Sequence, residues 1–159
     1  MATLYVMCGI PGSGKSTWIK NHITNSEMLV SIDAIRFNIV KEDEPYFSKE
    51  DKVWKEFVYR INHYLEMGYN VFADATHINT GARRKLLKEI KGNPTLAAIY
   101  ITTPVSLCLK RNALREGREC VPESAIKRMY SQFEEPSFEE GFEIIYTVDA
   151  FGGIEIRRK

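Results

Sequence analysis

Residues 9–16 read Gly9-Ile10-Pro11-Gly12-Ser13-Gly14-Lys15-Ser16, and this stretch decides the fold. It is a complete G-x-x-x-x-G-K-[ST] motif, whose glycines let the backbone fold closely over an anion and tolerate positive φ. The apolar run at 4–8 suits a buried strand, and residues 17–20 can continue as a helix. This order predicts a loop whose N–H groups bind phosphate at the positive end of the helix.

The polar residues of this loop predict binding of a nucleoside triphosphate. Lys15 is expected to reach the β- and γ-phosphates, and the hydroxyl of Ser16 to be a ligand for Mg²⁺. The loop contributes seven residues to the expected nucleotide site: Gly9, Gly12, Ser13, Gly14, Lys15, Ser16 and Thr17.

Apolar runs alternate with helical patterns along the rest of the chain. The predicted strands are 3–8, 28–32, 70–74, 96–102 and 143–148. The predicted helices are 15–24, 33–41, 50–67, 80–91, 105–115 and 122–133. Strands separated by helices of this length indicate βαβ units. We therefore expect an α/β P-loop NTPase fold, with a parallel sheet of about five strands and helices on both faces. Residues 1–159 are expected to form a single domain.

The composition of the chain indicates its cellular compartment more than its function. The net charge of +1 demands neither nucleic acid nor membrane. The three cysteines fit neither a disulfide framework nor a zinc spacing. No apolar run approaches the roughly 18 residues of a membrane span, and the N-terminus enters a strand directly. We therefore expect a cytoplasmic protein without a signal peptide.

The charges are unevenly distributed. Residues 83–118 contain nine Lys and Arg against two Glu, whereas residues 134–143 contain five acids and no base. A basic sector on a neutral protein can hold a polyanion on one face. The alternative is a solvated helix face, which explains Lys85, Lys88 and Lys91.

The end of the second predicted strand carries a candidate catalytic pair. Asp33 and Arg36 are three residues apart and share a face of a helix. A kinase needs a carboxylate that accepts the proton of the acceptor hydroxyl, which is the role expected for Asp33. Arg36 could hold an anionic group of the acceptor. The alternative is that Asp33 caps a helix and Arg36 lies on the surface.

A second acid, Asp74, ends the third predicted strand. There it can orient magnesium or its water shell, although a structural cap is the alternative. The next residue is Ala75, where motor ATPases usually have a glutamate that activates water, so the sequence argues against hydrolysis as the purpose. His77 has two open interpretations, a polar contact to the acceptor or an ordinary loop histidine.

Three arginines follow the fourth predicted strand: Arg111, Arg115 and Arg118. The first two share a helical face, and Gly117 offers a hinge. Arginines on a segment that closes over a triphosphate can offset the charge that builds on the transferred phosphoryl oxygens. The alternative is an exposed basic helix end.

Taken together, these residues resemble the 5′-hydroxyl polynucleotide kinase family, which includes phage end-healing kinases and the kinase domain of animal polynucleotide kinase-phosphatases. The match covers nearly the whole chain: residues 9–18, Asp33 with Arg36, residues 74–79, Arg83 and Arg84, residues 110–112 with Arg115, Val121-Pro122, and residues 130–142. The last segment contains the pattern F-E-x-P-x-x-x-E-G-F, which is the most family-specific part. Spacing alone assigns it no role.

The resemblance implies transfer of the γ-phosphate of ATP, with Mg²⁺, to a 5′-hydroxyl end of DNA or RNA. It implies that Asp33 is the general base and that Arg36 holds the phosphate of the acceptor end. The expected catalytic residues are Lys15, Asp33, Arg111 and Arg115; the two arginines also belong to the ATP site, and the acceptor-binding residues are Arg36, Asp74 and Thr76.

Two differences from the family narrow the expected activity and the expected acceptor. The chain lacks the D-x-D-G-T motif of the phosphatase domain in bifunctional relatives, so we expect a kinase only. With a net charge of +1, affinity for long nucleic acid should be weak and salt-sensitive, which leaves room for a small acceptor. The expected partner is therefore a nucleic-acid 5′ end, with no protein partner evident and homo-oligomers possible.

Other functions remain open from the residues alone. A kinase for a small molecule or nucleoside would use the same Asp33 and arginines. A nucleotide-dependent ATPase or switch module is disfavoured by Ala75 and by the lack of an N-K-x-D guanine-reading motif. A relative that only binds nucleic-acid ends is disfavoured because Lys15, Ser16 and Asp33 are all intact.

Overall fold

A six-stranded sheet forms the centre of the computed structural model, which describes residues 1–159. The strands are β1 (Thr3–Cys8), β2 (Glu27–Ser31), β3 (Asn70–Asp74), β4 (Thr95–Ile101), β5 (Ile144–Val148) and β6 (Ile154–Arg158). Their order is β2-β3-β1-β4-β5-β6, and only β6 runs antiparallel to its neighbour. The predicted α/β P-loop fold is confirmed.

Six α-helices connect the strands. They are α1 (Lys15–His22), α2 (Ile32–Ile39), α3 (Glu50–Glu66), α4 (Thr80–Leu87), α5 (Val105–Ala113) and α6 (Glu123–Ser131). Each predicted helix exists, and each ends one to four residues earlier than predicted. The chain becomes extended directly after α1 and α2, and it continues as a turn after the other four helices. No helix has both the length and the apolar character needed to cross a bilayer.

The sixth strand corrects the prediction of about five. In β6 every residue is exposed, so the strand has no buried apolar run that would mark it in the sequence. It pairs with β5 along its whole length, from Ile144 opposite Arg158 to Val148 opposite Ile154. The hairpin turn between them, residues 149–153, lies beside the candidate site.

Both faces of the sheet carry apolar side chains, because alternate residues of a strand point to opposite faces. On one face, Leu4, Val6 and Cys8 of β1 join a cluster that includes the buried stripe of α3: Val53, Phe57, Ile61 and Leu65. On the other face, Met7 packs with Ile19 of α1. Burying each such side chain contributes about 1.5–3 kcal/mol, so this two-sided core holds β1 and its following loop rigidly.

The strand order brings the motif residues to one edge. In the sheet, β2 and β3 lie on one side of β1, and β4 lies on the other side, so the connection from β3 to β4 passes over β1. The carboxyl end of β1 is therefore the point where the order reverses, which is where ligands bind in open α/β sheets. The glycine-rich loop, residues 9–14, begins there.

Candidate nucleotide and acceptor site

The loop after β1 is an anion cradle built from backbone. Gly14 is the N-cap of α1, with φ of 100°, and no side chain caps the helix. By contrast, Ser31 caps α2 and Asn79 caps α4 through their side chains. The N–H groups of the first turn of α1 are therefore left for a bound group, and phosphate oxygens are suitable acceptors.

Gly12 shows why this loop needs glycine. Its φ is +84°, and a Cβ there would lie 2.5 Å from the carbonyl oxygen of Cys108 in α5. The carbonyl group of Cys108 could move away only if the whole of α5 shifted. A side chain at this position would therefore be strained in both conformation and space.

Lys15 sits at the centre of the cradle. Its Nζ donates to the carbonyl oxygens of Gly9 at 2.9 Å and Ile10 at 3.2 Å. Burial lowers the pKa of Lys15, and the negative charges of Asp74 and Asp33 oppose this effect. Both carboxylates are thus within electrostatic reach of the ammonium group that is expected to bind the β- and γ-phosphates.

The hydroxyl of Ser16 donates to Oδ2 of Asp74 at 3.0 Å, which joins α1 to the end of β3. Burial raises the pKa of Asp74, whereas Lys15 and the hydrogen bond from Ser16 lower it. A hydroxyl and a carboxylate are the oxygen donors that Mg²⁺ binds, usually beside waters and substrate phosphates. These two residues fit a magnesium ion, and Asp74 does not cap a helix, so the capping alternative was wrong.

A groove of about 510 Å³ opens beside the cradle. Six predicted ATP-site residues line it: Gly12, Ser13, Gly14, Thr17, Arg111 and Arg115. Arg111 Nη1 donates to the carbonyl oxygens of Gly12 and Ser13 at 3.4 and 3.3 Å. Arg115 is exposed and makes no ion pair. The structure therefore brings the two arginines to the same groove as the loop.

The opposite wall of this groove was missed in the sequence. It includes Trp18 and Asn21 of α1 and the β5–β6 turn. The Asp149 carboxylate fixes that turn by accepting from the N–H groups of Phe151 at 2.8 Å and Gly153 at 2.9 Å. The dipeptide Gly152-Gly153 before a short alternating stretch is the turn signal that could have revealed it.

Asp33 and Arg36 form an ion pair, with 2.7 Å between Oδ1 and Nη1. The Asp33 side chain is 67% exposed, whereas that of Arg36 is 7% exposed. Ser31 caps α2, and Arg36 is buried, so both parts of the alternative interpretation were wrong. The structure brings the pair together on one helical face, as the spacing predicts.

Glu50 is a partner of Arg36 that sequence reasoning missed. Its carboxylate accepts from Arg36 Nε at 2.6 Å and from Nη2 at 3.0 Å. The guanidinium also lies over the rings of Tyr46 and Phe47, at 5.0 and 5.2 Å from their centroids. An open hollow of about 500 Å³, lined by residues 47–52, lies beside this group. The hollow therefore lies next to the Arg36 side chain and its partners.

The segment after β3 has a structural role that the sequence did not show. The Thr76 carbonyl oxygen accepts from the N–H of Gly9 at 3.0 Å, and the Thr76 hydroxyl makes no hydrogen bond. His77 is buried with φ of +42°, and its Nδ1 donates to the Met7 carbonyl oxygen at 2.6 Å. His77 therefore lies in a loop, as one of the two interpretations has it, but its ring lies inside the protein rather than at the surface.

Burial gives His77 a testable effect on stability. It lowers the pKa of His77 from 6.5 to about 4, so the unfolded chain binds a proton before the folded chain does. Stability should then fall as the pH drops from 6.5 towards 4, by about 3 kcal/mol in total for this group. Urea unfolding measured across this range should show the slope, and His77→Asn should remove most of it. Asparagine tolerates the left-handed backbone and can donate to Met7.

The exposed His63 provides the control for that series. His63→Asn makes the same chemical change at this exposed position and is measured over the same pH range. The assignment to His77 would be wrong if His77→Asn kept the wild-type slope.

The predicted basic surface sector is smaller than the sequence suggested. Arg83 is completely buried and paired with Glu140, so it is not available to a polyanion. Arg118 donates to the carbonyl oxygens of Val40 at 2.6 Å and Phe37 at 3.5 Å, away from Arg111. It therefore closes the loop after α5 onto the end of α2 and does not join the other two arginines.

This geometry defines a P-loop kinase domain, with the phosphate loop after β1, Arg111 and Arg115 beside that loop, and Asp33 in the first turn of α2. The chain belongs to the AAA domain family, whose model matches residues 4–136. It is 29% identical over 140 residues to the L-seryl-tRNA(Sec) kinase of Methanococcus maripaludis. The alignment covers 84% of this chain and 53% of that protein, so the chain spans about half the length of this curated relative.

Solved structures with the same fold come from several kinds of protein. A chain in the Pnkp1/Rnl/Hen1 RNA repair complex matches with a TM-score of 0.69 and 21% identity, covering 82% of this chain and 43% of that one. A sugar kinase from Janibacter sp. HTCC2649 matches with a TM-score of 0.63 and 19% identity, covering 96% and 87%. A gluconokinase from Sinorhizobium meliloti 1021 matches with a TM-score of 0.58 and 22% identity, covering 95% and 84%. At these identities the likeness shows the fold alone.

Proposed function

We propose that this chain is an ATP-dependent kinase that transfers the γ-phosphate of ATP to the 5′-hydroxyl end of DNA or RNA. The observation that carries the proposal is the position of the exposed Asp33 carboxylate: it follows β2 directly, and the last residue of β2, Ser31, pairs with Asp74, which binds Ser16 of the phosphate loop. An acceptor hydroxyl can therefore reach a base beside the phosphate loop. Arg36, bonded to that base, supports an acceptor that carries a phosphate near its reacting hydroxyl.

In the proposed reaction the acceptor oxygen attacks the γ-phosphorus as its proton passes to Asp33. The bond to the oxygen that bridges the β- and γ-phosphates breaks, and ADP leaves. Lys15, Arg111 of α5 and Arg115 just after that helix offset the charge on the transferred group. Ser16 and Asp74 would hold Mg²⁺, which when bound neutralises charge on the β- and γ-phosphate oxygens.

RNA is the first acceptor to test. The sequence pattern resembles polynucleotide kinases, and two relatives are named for RNA, the L-seryl-tRNA(Sec) kinase and the Pnkp1/Rnl/Hen1 RNA repair complex. These names support an RNA-borne hydroxyl in general. The 5′ end is the specific choice because the Asp33–Arg36 pair offers both a base and a phosphate-binding group.

A second candidate is a kinase for a small polyhydroxyl acceptor. It is favoured by one observation, the two hydrogen bonds between Arg36 and Glu50, which already neutralise the guanidinium. An acceptor phosphate would have to compete with this carboxylate, whereas a neutral sugar hydroxyl would not. The sugar kinase and the gluconokinase with the same fold make this class the main rival.

The deciding experiment measures transfer of label from [γ-³²P]ATP with Mg²⁺. The acceptors are RNA and DNA oligonucleotides with a 5′-hydroxyl, a nucleoside 3′-monophosphate, a nucleoside, gluconate and seryl-tRNA. The same oligonucleotides with a 5′-phosphate are the matched controls, since they offer no 5′-hydroxyl.

We expect label on the 5′-hydroxyl oligonucleotides and none on their 5′-phosphate counterparts. Label on gluconate or the nucleoside alone would establish the second candidate instead. Label on seryl-tRNA alone would move the acceptor from the nucleic-acid end to the aminoacyl group. Free phosphate without any labelled acceptor would contradict both kinase proposals.

A further inference from the structure

Arg83 is the largest of the fully buried side chains, which is unusual for an arginine. Its charge is balanced by Glu140, with 2.6 Å between Nε and Oε1. From the sequence, Arg83 belongs to the basic sector of residues 83–118, and Glu140 has no assigned role. Removing one partner of such a pair leaves a buried charge, so the fold must retain both or neither.

The remaining donors of Arg83 bind backbone rather than side chains. Nη1 donates to the carbonyl oxygen of His77 at 2.8 Å, and Nη2 donates to that of Glu135 at 3.3 Å. The guanidinium therefore joins two separate segments, one after β3 and one after α6. Its planar fork suits this task because it presents several donors in fixed directions.

The segment after α6 is the 133–142 tract, the family-specific stretch with no role assigned from spacing. Within it, Glu140 accepts from the N–H of Ser137 at 2.8 Å and completes a capping box. The N–H of Glu134 donates to the carbonyl oxygen of Ile78 at 2.8 Å. Phe142 is completely buried, so the tract is anchored in the core at its end.

The segment after β3, residues 76–78, contacts the phosphate loop from the other side. His77 donates to Met7, and Thr76 accepts from Gly9, the first glycine of the motif. The same segment follows Asp74, which binds Ser16. Its position therefore affects both the start of the phosphate cradle and the carboxylate expected to hold Mg²⁺.

We propose that Arg83 and Glu140 are positioning residues, which fix residues 76–78 so that the phosphate loop and Asp74 together bind MgATP. This inference rests on the proposed kinase function, but only on its binding of MgATP. Neither Arg83 nor Glu140 contacts Asp33 or Arg36, the pair proposed to bind the acceptor. It also gives the 133–142 tract its role, which is to hold Arg83 against the back of the nucleotide site.

The test compares MgATP affinity, measured by calorimetry, among wild type and three variants. Arg83→Met combined with Glu140→Gln removes both buried charges, and glutamine can still accept from Ser137 in the capping box. The matched control is Arg60→Met combined with Glu56→Gln, the same chemical change at an exposed ion pair of α3. Melting temperatures are measured beside the affinities, so that binding is compared only where each protein is folded.

We expect the Arg83 variant to bind MgATP about 10- to 100-fold more weakly, as when outer partners of a metal site are removed. Phosphoryl transfer by this variant should require a correspondingly higher Mg²⁺ concentration, while the KM for the acceptor stays unchanged. The control should match wild type. Arg83→Lys should behave like the double variant, because lysine keeps the charge for Glu140 but lacks the fork that reaches His77 and Glu135.

A lower melting temperature with wild-type MgATP affinity would overturn the inference, since Arg83 would then be structural only. Weakened MgATP binding in a protein that phosphorylates no nucleic acid would support it and reject only the proposed acceptor. A wild-type protein that binds no MgATP would overturn the nucleotide site and this inference together.

Discussion

Asp33→Asn is expected to lower kcat for phosphoryl transfer on the order of 10²- to 10⁴-fold, the range that a general base contributes. Asparagine has the same shape and keeps a side-chain oxygen for Arg36, but it cannot take the proton of the acceptor hydroxyl. MgATP affinity should remain close to wild type, because Asp33 makes no hydrogen bond to the phosphate loop. Stability should also be retained, since the side chain is 67% exposed.

The measurement is label transfer at saturating ATP and acceptor, with MgATP affinity determined by calorimetry on the same preparations. Asp43→Asn is the matched control, because Asp43 is an exposed carboxylate of the loop before α3. If Asp33→Asn kept more than about a tenth of the wild-type kcat, the assignment of Asp33 as the base would fail.

The fold could be predicted because its signals are local. The motif at residues 9–16 needs a strand before it and a helix after it, and the β1 and α1 sequences satisfy both requirements. The central parallel strands β1, β3 and β4 are largely buried, so they are continuous apolar runs. The β6 strand lacked this signal, because an exposed edge strand buries neither face and its residues resemble a polar tail.

The residues at strand ends could also be found from the sequence. Asp33 follows β2, Asp74 ends β3, and the phosphate loop follows β1, so parallel pairing brings all three to one edge. Their roles are still predictions. Their contacts, such as Ser16 with Asp74, follow from the register of the sheet rather than from any local pattern.

The buried ion pairs could not be predicted. Arg83 and Glu140 are 57 residues apart, and Arg83 is followed by Arg84 and Lys85, which resembles an exposed helix face. Helical periodicity shows which residues share a face, but it does not show whether another segment covers that face. In this structure the 133–142 tract covers α4. Its conformation depends on contacts with distant segments, which form only when the sheet is assembled.

Arg115→Ala is expected to lower kcat on the order of 10³-fold, as when the arginine that stabilises the transferred phosphoryl group is removed from a P-loop enzyme. Arg115 lines the nucleotide groove, and its positive charge acts on Lys15, yet it makes no ion pair of its own. Its donors are therefore free for the triphosphate. Because the side chain is exposed, the melting temperature should hardly change.

Three comparisons separate this effect from a general loss of charge. Lys110→Ala removes an exposed cation from α5, the helix that precedes Arg115, and should leave kcat unchanged. Arg111→Ala should lower both kcat and the melting temperature, because Arg111 also holds the carbonyl groups of Gly12 and Ser13. Arg115→Lys should recover part of the rate, since lysine supplies the charge without the bidentate fork. Equal rates for Arg115→Ala and Lys110→Ala would mean that Arg115 does not act on the transferred phosphate.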